Sequence, residues 1–104
     1  MERIAFKMKL LSGYTEEYKR RHDEIWPRLV IMLKETGISD YSIFLDDQTD
    51  VLFSILKADN VSNLGTLTQN PLMQEWWAYM GDIMETNTDS SPVSTPLKDV
   101  FYLP

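Results

Sequence analysis

The sequence predicts an α+β fold in a single domain spanning residues 1–104. Three observations lead to this prediction. The length suffices for one hydrophobic core but not for two. Apolar and polar residues alternate in some segments, as in strands, and recur with helical spacing in others. The segments follow the order strand, helix, strand, strand, helix pair, strand, which is that of a ferredoxin-like split βαβ unit: a four-stranded antiparallel sheet with helices on one face.

The chain opens with a strand followed by a helix. Apolar and polar residues alternate over residues 3–10, which predicts a strand with one face on the core. The alternation ends near Ser12, and either Ser12 or Thr15 can cap the helix that follows. Glu16 and Glu17 stand in the first turn of that helix, where carboxylates suit the positive end of the helix dipole.

Pro27 divides the helical region in two. Proline donates no backbone hydrogen bond and disfavours a helical residue before it, so we expect a kink or restart at Trp26-Pro27. The second part carries an apolar stripe and runs to about Thr36. Gly37 then supplies the left-handed residue that ends the helix.

Two further strands are predicted to form a hairpin. Residues 41–46 alternate, residues 46–50 are polar and turn the chain, and residues 51–56 form a nearly unbroken apolar run. Because residues 51–56 are apolar on both faces, we expect that strand to be covered by helices on one side. Packing of two sheets in a twofold dimer would cover the other side.

The C-terminal half contains two helices, a loop and a strand. Asp59 or Asn60 can cap a short helix, and Pro71 begins a longer one that runs to about residue 84. One face of it carries Met73, Trp77, Met80 and Met84, and Trp76 and Tyr79 flank that face. Residues 85–96 read as a polar loop, which we expect to lie over a pocket or a neighbouring chain. Residues 100–103 are predicted as the closing edge strand.

Charge and residue counts exclude several classes of protein. The formal net charge is −6, and acidic residues flank the only basic run, residues 19–21, as in a helix with paired charges. Since nucleic-acid binders need a basic patch, we expect no nucleic-acid partner. There is no cysteine and one histidine, which excludes disulfides, thiol nucleophiles and multi-histidine metal sites. Without a visible signal peptide or spanning segment, we expect a cytoplasmic protein with no membrane partner.

His22 is the first candidate for chemistry, because it is the only side chain whose ordinary pKa lies near neutrality. Helical residues four apart share a face, so Tyr18, His22 and Trp26 are predicted to form one wall. Such a wall can hold a polar small molecule and move its protons. The alternative is a charged, solvated helix that happens to carry a histidine.

Trp76, Trp77 and Tyr41 are the candidates for ligand contact. Adjacent indoles on a helix point about 100° apart, so one can enter the core while the other lines a cavity. Indole faces stack on sugars and other ring ligands, whereas the alternative is that both pack at the helix–sheet seam. Tyr41, predicted to open the second strand, is either a half-buried packing residue or a ligand contact. Asp46, Asp47 and Asp50 are turn formers without metal-ligand spacing.

Five segments in order carry a resemblance to a known family. They are Tyr18-Lys-Arg-Arg-His22, Ile25-Trp26-Pro27, Trp76-Trp77 with Tyr79-Met80, Ser91-Pro92-Val93-Ser94, and Val100-Phe101-Tyr102-Leu103-Pro104. Over essentially its whole length, the sequence resembles the L-rhamnose mutarotase family. It departs from the family at Thr88, where proline is usual, so the proline that would stiffen the loop at that position is missing.

The resemblance implies a cytoplasmic homodimer of ferredoxin-like subunits, a dimeric α+β barrel, that interconverts the α and β anomers of L-rhamnose. It implies His22 as the catalytic acid and Tyr18, Tyr41, Trp76 and Trp77 as sugar-binding residues. Mutarotation needs only proton donors and acceptors, so no cofactor is expected. The acceptor of the anomeric proton stays open between water, a tyrosine and a carboxylate such as Asp23 or Glu24, although helical geometry aims both carboxylates away from the Tyr18–His22 face.

Two other functions remain open at the level of sequence. The same dimeric fold carries cofactor-free monooxygenases and haem-degrading proteins, and a fold alone does not select an activity. A sugar-binding module without catalysis would also use a pocket of aromatic residues.

Overall fold

The computed structural model describes residues 2–104, and its elements follow the predicted order. The elements are β1 (Glu2–Lys9), α1 (Thr15–Asp23), α2 (Pro27–Glu35), β2 (Ile38–Asp46), β3 (Val51–Ala58), a 3₁₀ segment (Val61–Gln69), α3 (Pro71–Met80) and β4 (Ser94–Pro96). The four strands form one sheet in the order β2-β3-β1-β4, and every neighbouring pair is antiparallel. This confirms the predicted ferredoxin-like α+β architecture.

The core lies between one face of the sheet and the helices. Leu52 on β3 packs in one cluster with Leu29 from α2 and with Met73 and Met80 from α3. Leu10, which follows β1, is also fully buried there. These side chains belong to the strand face and the helix stripes that the alternation and the helical spacing predict.

The opposite face of the sheet is open in the single chain. Register places Phe44 on β2 beside Phe53 on β3, and Ile55 follows on the same face. Phe44 is 63% exposed and Ile55 is 42% exposed. The predicted cover over residues 51–56 is therefore present on the helix side, and a single chain leaves the other side open.

The closing strand differs from the prediction. The strand beside β1 is β4, from within the predicted polar loop, whereas residues 100–103 form no strand. All three β4 residues are exposed, so this edge strand needs no apolar side chains. The apolar tail that suggested a strand is exposed as well, and the ring of Tyr102 packs on the Arg3 guanidinium at 3.6 Å.

Most predicted helix ends are confirmed. Pro27 begins α2, and Gly37 has a φ of +93° just beyond its end. Asn60 caps the 3₁₀ segment, and the Asn70 side chain accepts hydrogen bonds from two backbone N–H groups at the start of α3, which begins at Pro71 as predicted.

Three local predictions are wrong. Neither Ser12 nor Thr15 caps α1, because Tyr14 occupies that position without a side-chain hydrogen bond. The α3 helix ends at Met80 rather than near residue 84, since the chain turns there and Met84 bridges to Leu10. Strand β2 begins at Ile38 and has an irregularity between residues 39 and 42, so Tyr41 lies within that irregularity and does not open the strand.

Within residues 2–104, no helix has the length and apolar character to cross a membrane.

Candidate active site

His22 is held in one orientation by its own helix. Its imidazole stacks on the Tyr18 ring, with 4.3 Å between centroids and 28° between planes. The Nδ1 atom lies 3.0 Å from the Tyr18 carbonyl oxygen. Because a carbonyl oxygen only accepts hydrogen bonds, Nδ1 carries the proton. The neutral imidazole therefore keeps its lone pair on Nε2, where a ligand can meet it.

Two indoles extend this pair of rings. The Trp76 ring meets His22 edge to face, with 5.4 Å between centroids and 89° between planes. Trp26 meets Trp76 in the same way at 5.0 Å. The predicted single-helix wall is wrong for Trp26, because α1 ends at Asp23 and Pro27 starts a new helix. Trp26 instead joins the aromatic cluster across space, through Trp76.

The two neighbouring tryptophans differ in burial. Trp76 is 6% exposed and shares the buried face of α3 with Met73 and Met80, whereas Trp77 is half-buried. The predicted stripe is correct for Met73, Met80 and Met84, which are all buried. It is wrong for the indole, because Trp76 and not Trp77 is the buried one. Both indoles nevertheless contribute to the wall of the same cavity.

A cavity of about 1000 Å³ lies between the sheet and the helices. Its wall includes the five predicted site residues, Tyr18, His22, Tyr41, Trp76 and Trp77. The loop after α3 contributes Asn87, Ser91 and Pro92 to the same wall, as expected for a loop lying over a pocket. The fold thus brings together five side chains that lie up to 59 positions apart in the chain.

The loop that borders the cavity is held by hydrogen bonds. The Asn87 N–H donates to the Ser91 carbonyl at 2.8 Å, and the Ser90 N–H donates to the Asn87 carbonyl at 3.0 Å. The Asp89 carboxylate accepts a hydrogen bond from the Ser91 N–H at 3.0 Å. These bonds close a tight turn around Thr88, so the turn forms without the usual proline.

Burial sets the ionisation of the site. It lowers the pKa of His22, and the hydrogen bond to the Tyr18 carbonyl and the charge of Asp23 only partly oppose this effect. Burial also raises the pKa of the Tyr18 phenol, with a smaller contribution from nearby Tyr41. Burial raises the pKa of the Tyr41 phenol too. At neutral pH the site therefore presents a neutral imidazole and two protonated phenols.

Arg21 is a structural residue that the sequence analysis missed. Its side chain is only 9% exposed, whereas its neighbours Lys19 and Arg20 form the predicted surface pairs with Asp23 and Glu24. The guanidinium donates at 2.8 Å to both the Tyr79 carbonyl and the Asp82 carboxylate, and at 2.7 Å to Glu17. No local pattern distinguishes Arg21 from Arg20, because Asp82 lies 61 positions further along the chain.

This arrangement can perform acid–base chemistry on a small ring-shaped ligand. The imidazole provides a base, the phenols provide neutral hydrogen-bond donors, and the indoles provide flat apolar surfaces. Among residues 2–104, no group of three or more His, Cys, Asp or Glu side chains is arranged to hold a metal ion. The fold and the site thus define a ferredoxin-like protein with an aromatic acid–base pocket.

Comparison with known proteins gives the family. A family model described as L-rhamnose mutarotase matches residues 3–103, and the chain belongs to this family. An L-rhamnose mutarotase from Sinorhizobium fredii is 55% identical over 103 residues, covering 99% of each chain. One from Agrobacterium fabrum is 53% identical and covers 100% of this chain and 97% of the relative. The crystal structure of an L-rhamnose mutarotase from Formosa agariphila superposes with a TM-score of 0.93 at 47% identity, covering 100% of both chains.

Replacement of Arg21 by lysine tests whether this residue fixes α1 to the end of α3. We expect Arg21→Lys to lower the free energy of unfolding by about 1–2 kcal/mol, because lysine cannot reproduce the forked contacts to Asp82 and Tyr79. Chemical denaturation measures this change. The control is Arg20→Lys on the same helix, where the exposed ion pairs predict a change within about 0.5 kcal/mol. Equal effects of the two substitutions would contradict the anchoring role.

Proposed function

We propose that the chain is a carbohydrate isomerase that interconverts the α and β anomers of L-rhamnose in the cavity around His22. Membership of the L-rhamnose mutarotase family supports the substrate. The observation that carries the proposed chemistry is the Nδ1–carbonyl contact of 3.0 Å, which directs the free nitrogen of His22 to a ligand. The proposal takes residues 1–104 as one catalytic domain, in line with a family match over residues 3–103, and places the protein in the cytoplasm.

In the proposed reaction, His22 Nε2 takes the proton of the anomeric hydroxyl. The C1–O1 bond becomes a carbonyl, the C1–O5 bond breaks with its electron pair going to O5, and the imidazolium gives the proton to O5. One nitrogen can serve both oxygens because both are bonded to C1. Rotation about the C1–C2 bond presents the other carbonyl face, and the same steps in reverse close the ring. His22 is thus the acid for the ring oxygen after acting as the base.

The lowered pKa of His22 suits this sequence of steps. A neutral imidazole is the form that can accept the anomeric proton, and burial favours that form. The imidazolium produced in the buried site is a stronger acid than an exposed one, which helps the transfer to a weakly basic ring oxygen. The same burial therefore assists both proton transfers.

We assign sugar binding to the other four residues of the site. Tyr18 and Tyr41 stay protonated and can donate hydrogen bonds to sugar hydroxyls. Trp77 is half-buried on the cavity wall and offers surface for the C–H face or the methyl group of the sugar. Trp76 is more deeply buried, and its edge-to-face contact with His22 also holds the imidazole in place.

The assignment of His22 is tested by its replacement with alanine. We expect His22→Ala to lower the rate of anomer exchange by at least about 100-fold, since general acid–base catalysis contributes this much or more. Affinity for L-rhamnose should stay largely intact, because the phenols and indoles remain. Exchange is measured by NMR magnetisation transfer on L-rhamnose, and affinity by calorimetry. Wild-type protein that binds the sugar without accelerating its exchange would be a binding module instead.

The pH dependence of exchange tests which form of His22 reacts first. If the neutral imidazole starts the reaction, kcat/KM should be level from pH 7 to 8 and fall as the pH drops through the lowered pKa of His22. The rate of the uncatalysed reaction is subtracted at each pH. A rate that instead increases as the solution becomes more acidic would show that the imidazolium starts the reaction.

We further propose that two chains form a homodimer through the open faces of their sheets. Phe44 and Ile55 are exposed on this face, and a monomer would leave this apolar surface in water. Light scattering should then report twice the chain mass of 12.2 kDa. Phe44→Asp should yield monomers, because a carboxylate cannot be buried there without a partner. The control is Ile31→Asp on α2, whose exposed side chain lies away from the sheet. A wild-type monomer at micromolar concentration would contradict the dimer.

A further inference from the structure

Ser54 is a buried hydroxyl in the sheet that the proposed mechanism does not use. It lies on the helix-facing side of β3, between Phe6 of β1 and Ile43 of β2 in the register of the sheet. The residue is 0% exposed, and its Oγ finds no hydrogen-bond partner among residues 2–104. A buried hydroxyl without a partner destabilises a fold, so its presence in an apolar layer requires a reason.

Tyr41 lies next to this hydroxyl. Ile43 is the direct neighbour of Ser54 on β2, and Tyr41 stands two positions before Ile43, within the irregularity of that strand. A diagonal neighbour on the adjacent strand is within reach of an aromatic side chain. Tyr41 also lines the cavity beside Ile43, which places its ring on the helix side of the sheet.

Ser54 and Tyr41 lie on the side of the site that leads to Tyr18 and His22, and all but Ser54 line the same cavity. The Ser54 hydroxyl lowers the pKa of the Tyr41 phenol, against the larger effect of burial. Tyr41 in turn contributes to the raised pKa of Tyr18, whose ring stacks on His22.

We propose that Ser54 is a positioning residue of the sugar site, whose hydroxyl donates a hydrogen bond to the Tyr41 phenol oxygen. With its oxygen engaged as acceptor, Tyr41 directs its own O–H into the cavity, where it donates to a sugar hydroxyl. Ser54 therefore acts through Tyr41 and does not contact the substrate. The role in sugar binding rests on the proposed function, whereas the hydrogen bond itself does not.

The hydrogen bond is tested without any sugar. The protein is labelled with ¹³C at the phenol carbon of tyrosine, and Tyr41→Phe identifies the Tyr41 signal among the five tyrosines. We expect Ser54→Ala to shift the Tyr41 signal at neutral pH, because the phenol oxygen loses its hydrogen-bond donor. A Tyr41 signal that does not move would overturn the proposal.

The positioning role is tested by a double-mutant cycle on anomer exchange. Ser54→Ala should raise KM for L-rhamnose by about 3- to 10-fold, the effect of one misdirected hydrogen bond, with a smaller change in kcat. In the Tyr41→Phe background the same substitution should have no effect. Additive losses would show that Ser54 acts independently of Tyr41 and would overturn the role.

A serine on the other face supplies the control. Ser42 lies opposite Ile55, away from the cavity, and Ser42→Ala should change neither KM nor the Tyr41 signal. If the wild-type protein failed to accelerate exchange, the proposed function would be refuted. The sugar-free NMR measurement would still decide whether Ser54 and Tyr41 are bonded, so the two failures are distinguishable.

Discussion

The burial of His22 between two other rings is the constraint on which the rest of the site depends. Stacking on Tyr18 and the edge of Trp76 remove the imidazole from water, and the Tyr18 carbonyl accepts a hydrogen bond from Nδ1–H. The carbonyl bond alone would raise the pKa of His22, yet the net shift is downward, so loss of hydration outweighs it. The outcome is a base with a fixed tautomer at neutral pH. A solvent-exposed histidine on the same helix would have neither a fixed proton nor a fixed direction.

The scaffold maintains this burial by holding α1 against α3. Arg21 is the residue directly before His22, and its guanidinium donates hydrogen bonds to a backbone carbonyl and a carboxylate at the end of α3. The break between the end of α1 at Asp23 and the start of α2 at Pro27 allows Trp26 to pack on Trp76. Two adjacent residues of α1 therefore have different roles: His22 provides the reactive group, and Arg21 fixes the helix that carries it. The exposed Lys19 and Arg20 pairs contribute little to this, because solvent screens them.

The accuracy of the sequence-based predictions follows the range of the interactions involved. The order of strands and helices along the chain, and the restart at Pro27, were predictable because alternation and proline geometry are local properties. The burial of Trp76 on α3 was not, since helical spacing allows either Trp76 or Trp77 to share the face of Met73. The closing strand was misplaced because β4 has no apolar pattern of its own. Only its pairing with β1 makes it a strand, and that pairing is not visible in the sequence. Arg21 and Ser54 were missed for the same reason: their roles depend on residues that are distant along the chain but close in space.

The two faces of β3 connect the open sheet surface to the site. Alternation sends Leu52, Ser54 and Leu56 toward the helices and sends Phe53 and Ile55 toward the open face. The lining of the cavity includes Leu52 and Leu56 of β3, on the face away from the open surface. Burial of Phe53 and Ile55 in a dimer would act on the strand, by restricting the motion of β3 and β2. Since Ser54 and Tyr41 stand on the other side of those strands, the dimer interface would fix their relative positions without contacting the sugar.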